Sequence, residues 1–282
     1  MQIETEENKK MSECSQYKYI HNSKLKDSSE FENEFFRNGL SLYEVMRVVE
    51  SKPIFLEEHL IRLQESAKKV GQFIWLNYHE LIEKIKLVIR KNGVVEGNIK
   101  IVFNIHENNR NFYCYFVKHK YPERDEYIEG VRTIIYNAER SNPNAKVYNH
   151  KLRSYTNTII ENTDIFEVIL MDDLDNIREG SRSNLFFIKG AELVTAPDDE
   201  VLNGIVREKI IEICERMGIS VLKEKIAYNT LSDFDAAFLT GTSPQILPIK
   251  SINMIYFDVN HHLLKLLLET YRKELGIYII GN

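Results

Sequence analysis

The stretch IREGSRSNLFF, residues 177–187, governs how the second half of the chain is read. It has the look of a strand, yet a glutamate within a strand is mildly disfavoured. Gly-Ser-Arg-Ser-Asn then gathers small and polar groups directly before an apolar run. A hairpin turn with exposed polar residues satisfies that pattern. The alternative is that Glu179 is a carboxylate kept for chemistry.

Working outward, two patterns of elements follow one another. LSLYEVMRVV (40–49) is rich in strand formers, and SKPIF turns the chain into a second short strand. LEEHLIRLQESAKKVGQ (56–72) sets Leu56, Leu60, Leu63 and Ala67 at helical spacing and stops near Gly71. HELIEKIKLVIRKNG (79–93) is a second amphipathic helix, and NIKIVFNIHE and NFYCYFVKH (98–107, 111–119) are strands joined by a polar turn. The charged segment HKYPERDEYIEG (119–130) reads as a boundary. After it, VRTIIYNAE and EVILMDD are strands around the helix SYTNTIIENTDIF, and REGSRSNLFFIKG with AELVTAP reads as a hairpin. LNGIVREKIIEICERMG is a helix closed by Gly218, AAFLTGTSPQILPIKSI is two strands about a tight loop, and HHLLKLLLETYRKELG (261–276) is a final helix. The predicted class is α+β in two domains: a small one with an antiparallel sheet over 1–120, a linker at 121–130, and a larger pseudo-barrel with packed helices over 131–282. About the first 15 residues read as a mobile lead-in.

Composition narrows the function classes. Apolar residues make up 43% and charged residues 28% of the 282, which suits a globular protein with a substantial core. Lys and Arg number 37 against 42 Asp and Glu, and a net charge of −5 offers no general field for nucleic acid. No apolar run approaches the roughly 20 residues of a membrane span. Cys14, Cys114 and Cys214 are scattered and odd in number, which points to a reducing cytoplasm. The histidines make no metal-ligand spacing, and Asp172, Asp173 and Asp175 are too irregular for a calcium loop.

Beyond Glu179, three features suggest chemistry. In VYNHKLRSYTNTII (147–160) Lys151 stands at a helix start, where an ordinary surface charge is the default and a reactive amine the alternative. Gly204 precedes a helix, so the N–H groups of Ile205 and Val206 can face an anion. TGTSPQ (240–245) brings small and hydroxylated residues to a turn after a strand, and Arg62 can pair with a phosphate. An amine, a carboxylate and several phosphate donors are the parts that pyridoxal phosphate requires.

Taken in order from about residue 38 to about 250, LYEVMRV, F-LEEHLIRLQESAKKVG, HKLRSYTN, REGSRSNLFFI, LNGIVRE and FLTGTSPQILPI resemble the class IV aminotransferases, the fold-type IV pyridoxal phosphate enzymes. That family includes branched-chain and D-amino acid aminotransferases and 4-amino-4-deoxychorismate lyase. The resemblance implies that Lys151 carries the cofactor and that Glu179 pairs with its pyridine nitrogen. It implies phosphate contacts from Arg62, Ile205, Val206 and Thr242, and a bond from Tyr155, one helical turn beyond Lys151, to the phenolic oxygen. It puts Tyr43, Arg47 and Ser243 at the substrate pocket, and implies small amino acid and 2-oxo acid substrates, a homodimer and a cytoplasmic role in amino acid metabolism. Amino-group transfer is the first reading. A lyase releasing pyruvate and 4-aminobenzoate is the second, and a non-catalytic relative of the fold the third. The sequence departs from the family at Val206, commonly threonine, and in the run before LYE, which lacks Gly-Asp-Gly. It lacks the Arg-x-His strand of the D-amino acid enzymes and the Arg-Pro strand of the branched-chain enzymes. A glycine often found before the last helix is also missing.

Overall fold

A computed structural model describes residues 12–33, 38–119 and 121–281. The first half holds β1 (Lys18–His21), β2 (Lys24–Asp27), β3 (Leu40–Val49) and β4 (Lys52–Pro53), then α1 (Leu56–Lys69), α2 (Tyr78–Asn92), β5 (Gly97–His106) and β6 (Asn109–Val117). The strands form one antiparallel sheet in the order β2-β1-β6-β5-β3-β4. Leu56, Leu60, Leu63 and Ala67 are all buried, as their spacing predicts. With Leu81, Ile85 and Val88 of α2 they cover a sheet face of Leu42, Met46, Ile99 and Phe103. Each such side chain contributes roughly 1.5–3 kcal/mol through burial. A reciprocal capping box between Asn77 and Glu80 starts α2, and Gly93 ends it at φ 62°.

Strand alternation in β3 has a consequence for function. Leu42, Met46 and Val48 face the helices, and Glu44 shares that face, opposite α1. Tyr43 points the other way, into a cluster with Tyr19, Val102 and Tyr115. Cys14 is buried there too and bridges to Val117, so the expected mobile lead-in is already packed at this point. The rest of that expectation, residues 1–11, lies outside the described residues.

The segment expected as a linker contains a short helix, α3 (Arg124–Glu129), started by its own capping box between Glu123 and Glu126. Its charge run is therefore partly capping chemistry. Beyond it come β7 (Val131–Asn137), α4 (His150–Asn162), β8 (Glu167–Met171), β9 (Asn176–Gly180), β10 (Asn184–Lys189), β11 (Glu192–Thr195) and α5 (Ile205–Met217). The chain ends with β12 (Val221–Lys223), β13 (Ile226–Ala227), β14 (Ala236–Gly241), β15 (Gln245–Ile252), β16 (Ile255–Tyr256) and α6 (His262–Gly281).

These strands make a second sheet, β12-β11-β10-β14-β15-β7-β8-β9-β13, with β16 on β15. Strands β9 and β10 are far apart along that path, yet only residues 181–183 join them. So short a link forces the sheet to curl into a half-barrel. The sequence Gly-Ser-Arg-Ser is therefore no hairpin turn, because β9 pairs with β8 and β13. The hairpin is β10–β11, turning at Gly190 with φ 60°. Along β10, Leu185 and Phe187 point inside the curl, while Phe186 and Ile188 point out to α5 and α6.

Candidate active site

A cavity lies between the first sheet and the curled sheet, with Tyr43 and Arg62 on one side and Glu179, Gly204 and Thr242 on the other. One end is built by the start of α5. The first N–H groups of a helix have no acceptor within it, so those of Ile205 and Val206 stay available beside the cavity. Gly204 is needed there for close approach: a Cβ would stand 2.0 Å from Asn184 Oδ1. Asn184 in turn donates to Leu202 O at 2.7 Å and to Glu179 Oε2 at 3.2 Å, locking the loop to the carboxylate. The Thr240 hydroxyl lines the same cavity, buried and without a hydrogen-bond partner among the described residues. Thr242 Oγ1 donates to Val45 O at 3.3 Å.

Arg62 reaches this end from α1. Its Nε and Nη2 donate to Glu44 Oε1 and Oε2 at 2.8 and 2.6 Å, and its Nη1 donates to Asn203 O at 3.3 Å. His59 Nδ1 meets Glu44 Oε2 at 2.7 Å. Burial pushes the Glu44 carboxyl up, but Arg62 and then His59 outweigh it and hold it at about 2. The guanidinium is thereby fixed at the cavity wall.

Glu179 closes β9 and is 3% exposed. Its Oε1 pairs with Arg140 Nε at 2.8 Å, and Leu202 N–H donates to Oε2 at 3.2 Å. Burial raises this carboxyl, and Arg140 pulls it back.

At the other end the structure separates the two lysines. Lys151 is the second residue of α4, exposed, and does not line the cavity. Lys146 does. Residues 146–148 add to the free edge of β3, with Tyr43 N–H donating to Lys146 O at 3.2 Å and Tyr148 N–H to Ser41 O at 2.8 Å. Val147 falls opposite Leu42 and packs into the core, so the register sends Lys146 to the face of Tyr43. Its Nζ lies 4.9 Å from the Tyr43 ring centroid. Burial pushes the Lys146 amine down, and Arg62 and Arg140 add to that. The Tyr43 phenol is pushed up by burial, yet Lys146, Arg153, Arg140 and Lys100 together bring it down to about 7.

Other expected positions divide. Tyr43 lines the cavity with Glu179, Arg62, Ile205, Val206 and Thr242. Tyr155 does not: it is 53% exposed and stacks on Tyr136 at 4.8 Å, since α4 buries only Thr156. Arg47 pairs with Glu96 at 2.6 Å, lies 4.1 Å from the Tyr121 ring centroid, and opens on a neighbouring cleft that shares Thr242. Ser243 accepts from Asn98 Nδ2 at 2.7 Å and stands outside the cavity. Sequence reasoning missed Lys146, Arg140, Arg153 and Arg182. For Lys146 a signal existed. Asn149 is a ready N-cap that starts α4 after Lys146, and a lysine between Ala145 and Val147 in an extended segment is more readily buried than one in a helix's first turn. Among the described residues no group of His, Cys, Asp and Glu is placed to hold a metal ion. No described helix is long and apolar enough to cross a membrane.

The curled sheet, the helix start aimed into a cleft and the buried carboxylate define a class of protein, and the comparisons agree with it. Residues 41–252 match the family Amino-transferase class IV, and the chain belongs to that family of enzymes. It is 27% identical to a "Probable branched-chain-amino-acid aminotransferase" of Rickettsia conorii over 83% of this chain and 86% of the other. It is 25% identical to the aminodeoxychorismate lyase of Bacillus subtilis, over 79% and 80% respectively. The branched-chain amino acid aminotransferase of T.th., solved with pyridoxamine 5'-phosphate, has the same fold, with a TM-score of 0.80 at 22% identity over 93% of this chain and 95% of that one.

Proposed function

We propose that the protein is a pyridoxal phosphate-dependent transaminase moving an amino group between an amino acid and a 2-oxo acid. What supports this most is that Lys146, Glu179 and the start of α5 line one cavity. The residues fit the cofactor: free helix amides, Arg62 and the unpartnered Thr240 hydroxyl suit a phosphate, and a buried carboxylate suits a protonated ring nitrogen. Lys146 takes the role that the sequence suggested for Lys151.

Bound there, pyridoxal phosphate supplies an electron sink for the carbon that loses its proton. Burial favours the neutral Lys146 amine, the form that attacks a carbonyl and accepts a proton. Lys146 Nζ would hold the cofactor and, once free, would take the proton from the substrate Cα and give it back later in the reaction. Glu179 stays in place under Arg140, Asn184 and the Leu202 amide, so its charge needs no reorganisation during the step. Arg62 and the α5 amides hold the far end against the push of the attacking amine.

Cofactor-loaded protein given amino acids without any oxo acid tests the reading. Conversion of the bound cofactor to its amine form supports transamination. Pyruvate released from aminodeoxychorismate alone, without that conversion, selects the lyase chemistry, which begins with the same proton removal and is favoured by the Bacillus subtilis relative. Failure of the protein to take up pyridoxal phosphate rejects both.

A further inference from the structure

Helix α1 starts without a cap of its own. Its N-cap residue, Phe55, lies in the left-handed region at φ 54° and ψ 43°, and its ring has no oxygen to accept a bond. Glu58 stands where a capping box would return a carboxylate to the Phe55 N–H. It is turned instead to α5, where it pairs with Lys209 Nζ at 3.2 Å. The Phe55 N–H is satisfied from the far end of the chain, donating to Tyr278 Oη in α6 at 3.1 Å. The Leu56 amide acts on the same oxygen. Burial, with Glu57 and Glu58, pushes the Tyr278 phenol up, so it stays a neutral hydroxyl.

The side chains divide in the same way. Leu56 packs in the core of the first half, whereas Ile54 and Phe55 pack with residues of α5, α6 and the curled sheet. The Phe55 and Tyr278 rings lie 4.7 Å apart at 51°, and Lys209 Nζ stands 5.6 Å from the Phe55 ring centroid. Lys52 in β4 adds a bond from Nζ to Ile279 O at 3.4 Å. A left-handed phenylalanine is strained and persists only where surrounding contacts hold it.

Helical spacing connects these contacts to the cavity. Glu58 is one turn before Arg62 on α1, and Lys209 is one turn after Ile205 on α5. The ion pair and the anion-binding end therefore share the same two helix faces. Arg62 comes from the first half and the Ile205 and Val206 amides from the second, and all three residues line the cavity. The bond from Arg62 Nη1 to Asn203 O, at 3.3 Å, is long and sets the gap between them only loosely. Phe55, Glu58, Lys209 and Tyr278 do not line the cavity themselves.

We propose that Tyr278, Phe55 and the Glu58–Lys209 pair form a clasp between the two halves, fixing the separation of Arg62 from the start of α5 and with it the grip on a phosphate monoester. Tyr278 is a positioning residue: it touches α1, and α1 carries Arg62. The inference rests on the reading of that end as a phosphate seat.

Equilibrium dialysis of the full-length protein against pyridoxal 5'-phosphate, and against pyridoxal without the phosphate, isolates that grip. Wild type should bind the phosphorylated form at least about 100-fold more tightly. Tyr278→Phe keeps the ring stack and removes only the acceptor oxygen. It should weaken pyridoxal 5'-phosphate by about three- to tenfold and leave pyridoxal within about twofold. Glu58→Gln separates position from charge. Loss of a negative charge near the site would by its field alone tighten a phosphate, whereas an opened clasp weakens it, by about two- to fivefold. A role in stability alone would lower both affinities together, and their ratio would not move. An unchanged ratio in Tyr278→Phe, or a tighter phosphate in Glu58→Gln, overturns the clasp and leaves the phosphate reading intact. Equal binding of the two forms by wild type overturns that reading and the clasp with it.

Discussion

At the α5 end of the cavity the side-chain charge is already balanced: Arg62 is locked to Glu44, and Glu44 to His59. At the α4 end, Lys146, Arg153 and Arg182 face the cavity with no carboxylate partner among the described residues, and Tyr43 is drawn toward its anion by the excess of cations. The first arrangement suits a permanent resident, whose phosphate meets donors that do not move. The second suits a visitor that brings its own negative charge and then departs.

Replacing the amine breaks this contrast most severely. Lys146→Ala should lower the amino-transfer rate by at least about 10⁴-fold, while Lys151→Ala on the exposed face of α4 stays within about twofold of wild type, as single-turnover kinetics would show. At the balanced end, Glu44→Gln leaves the buried Arg62 charge uncompensated and should cost about 3 kcal/mol in urea unfolding. The pH sign follows from the depressed carboxyl. The stabilisation from Glu44 is fully present above the ordinary value of 4.5 and is lost as pH falls through about 2, so the wild-type advantage over Glu44→Gln shrinks across that window. Gly204→Ala drives a Cβ toward Asn184 Oδ1 and should cost about 1–3 kcal/mol, with weaker cofactor retention in equilibrium dialysis. The smallest effect is spectroscopic. Tyrosinate absorbance should titrate with a midpoint near 7 and vanish in Tyr43→Phe, without a change in fold.

The same contrast explains what was legible in the sequence. Motifs at the α5 end rely on local chemistry: a glycine before a helix, a Gly-Thr turn after a strand, and an arginine on a helix whose apolar stripe is unmistakable. Each is a local pattern that stands out from its neighbours, although the polar cluster after Glu179 also suits a hairpin turn and the roles came from the family resemblance. For Lys146 the neighbours gave only a partial signal, the N-cap at Asn149 that starts the helix beyond it. Its position comes from the bridge of its neighbour Val147 to Leu42, a bond from its own amide N–H to Ser66 Oγ, and the edge of β3, about 80 to 105 residues earlier in the chain. A helix start is a strong local signal for Lys151, whose cofactor role was implied by the family resemblance, and it says nothing of Lys146 five residues before it. Tyr155, one turn beyond Lys151, stacks on Tyr136 outside the cavity. Arg47 stood correctly on β3, but its pairing with Glu96 depends on the turn before β5, which strand propensity does not reveal.

The central claim is that the amine beside Tyr43 carries the cofactor. Borohydride reduction of the cofactor-loaded protein, followed by digestion and peptide mass mapping, locates the attached group. The expected result is a pyridoxyl adduct on Lys146 and an unmodified Lys151. An adduct on Lys151 with Lys146 unmodified would contradict it.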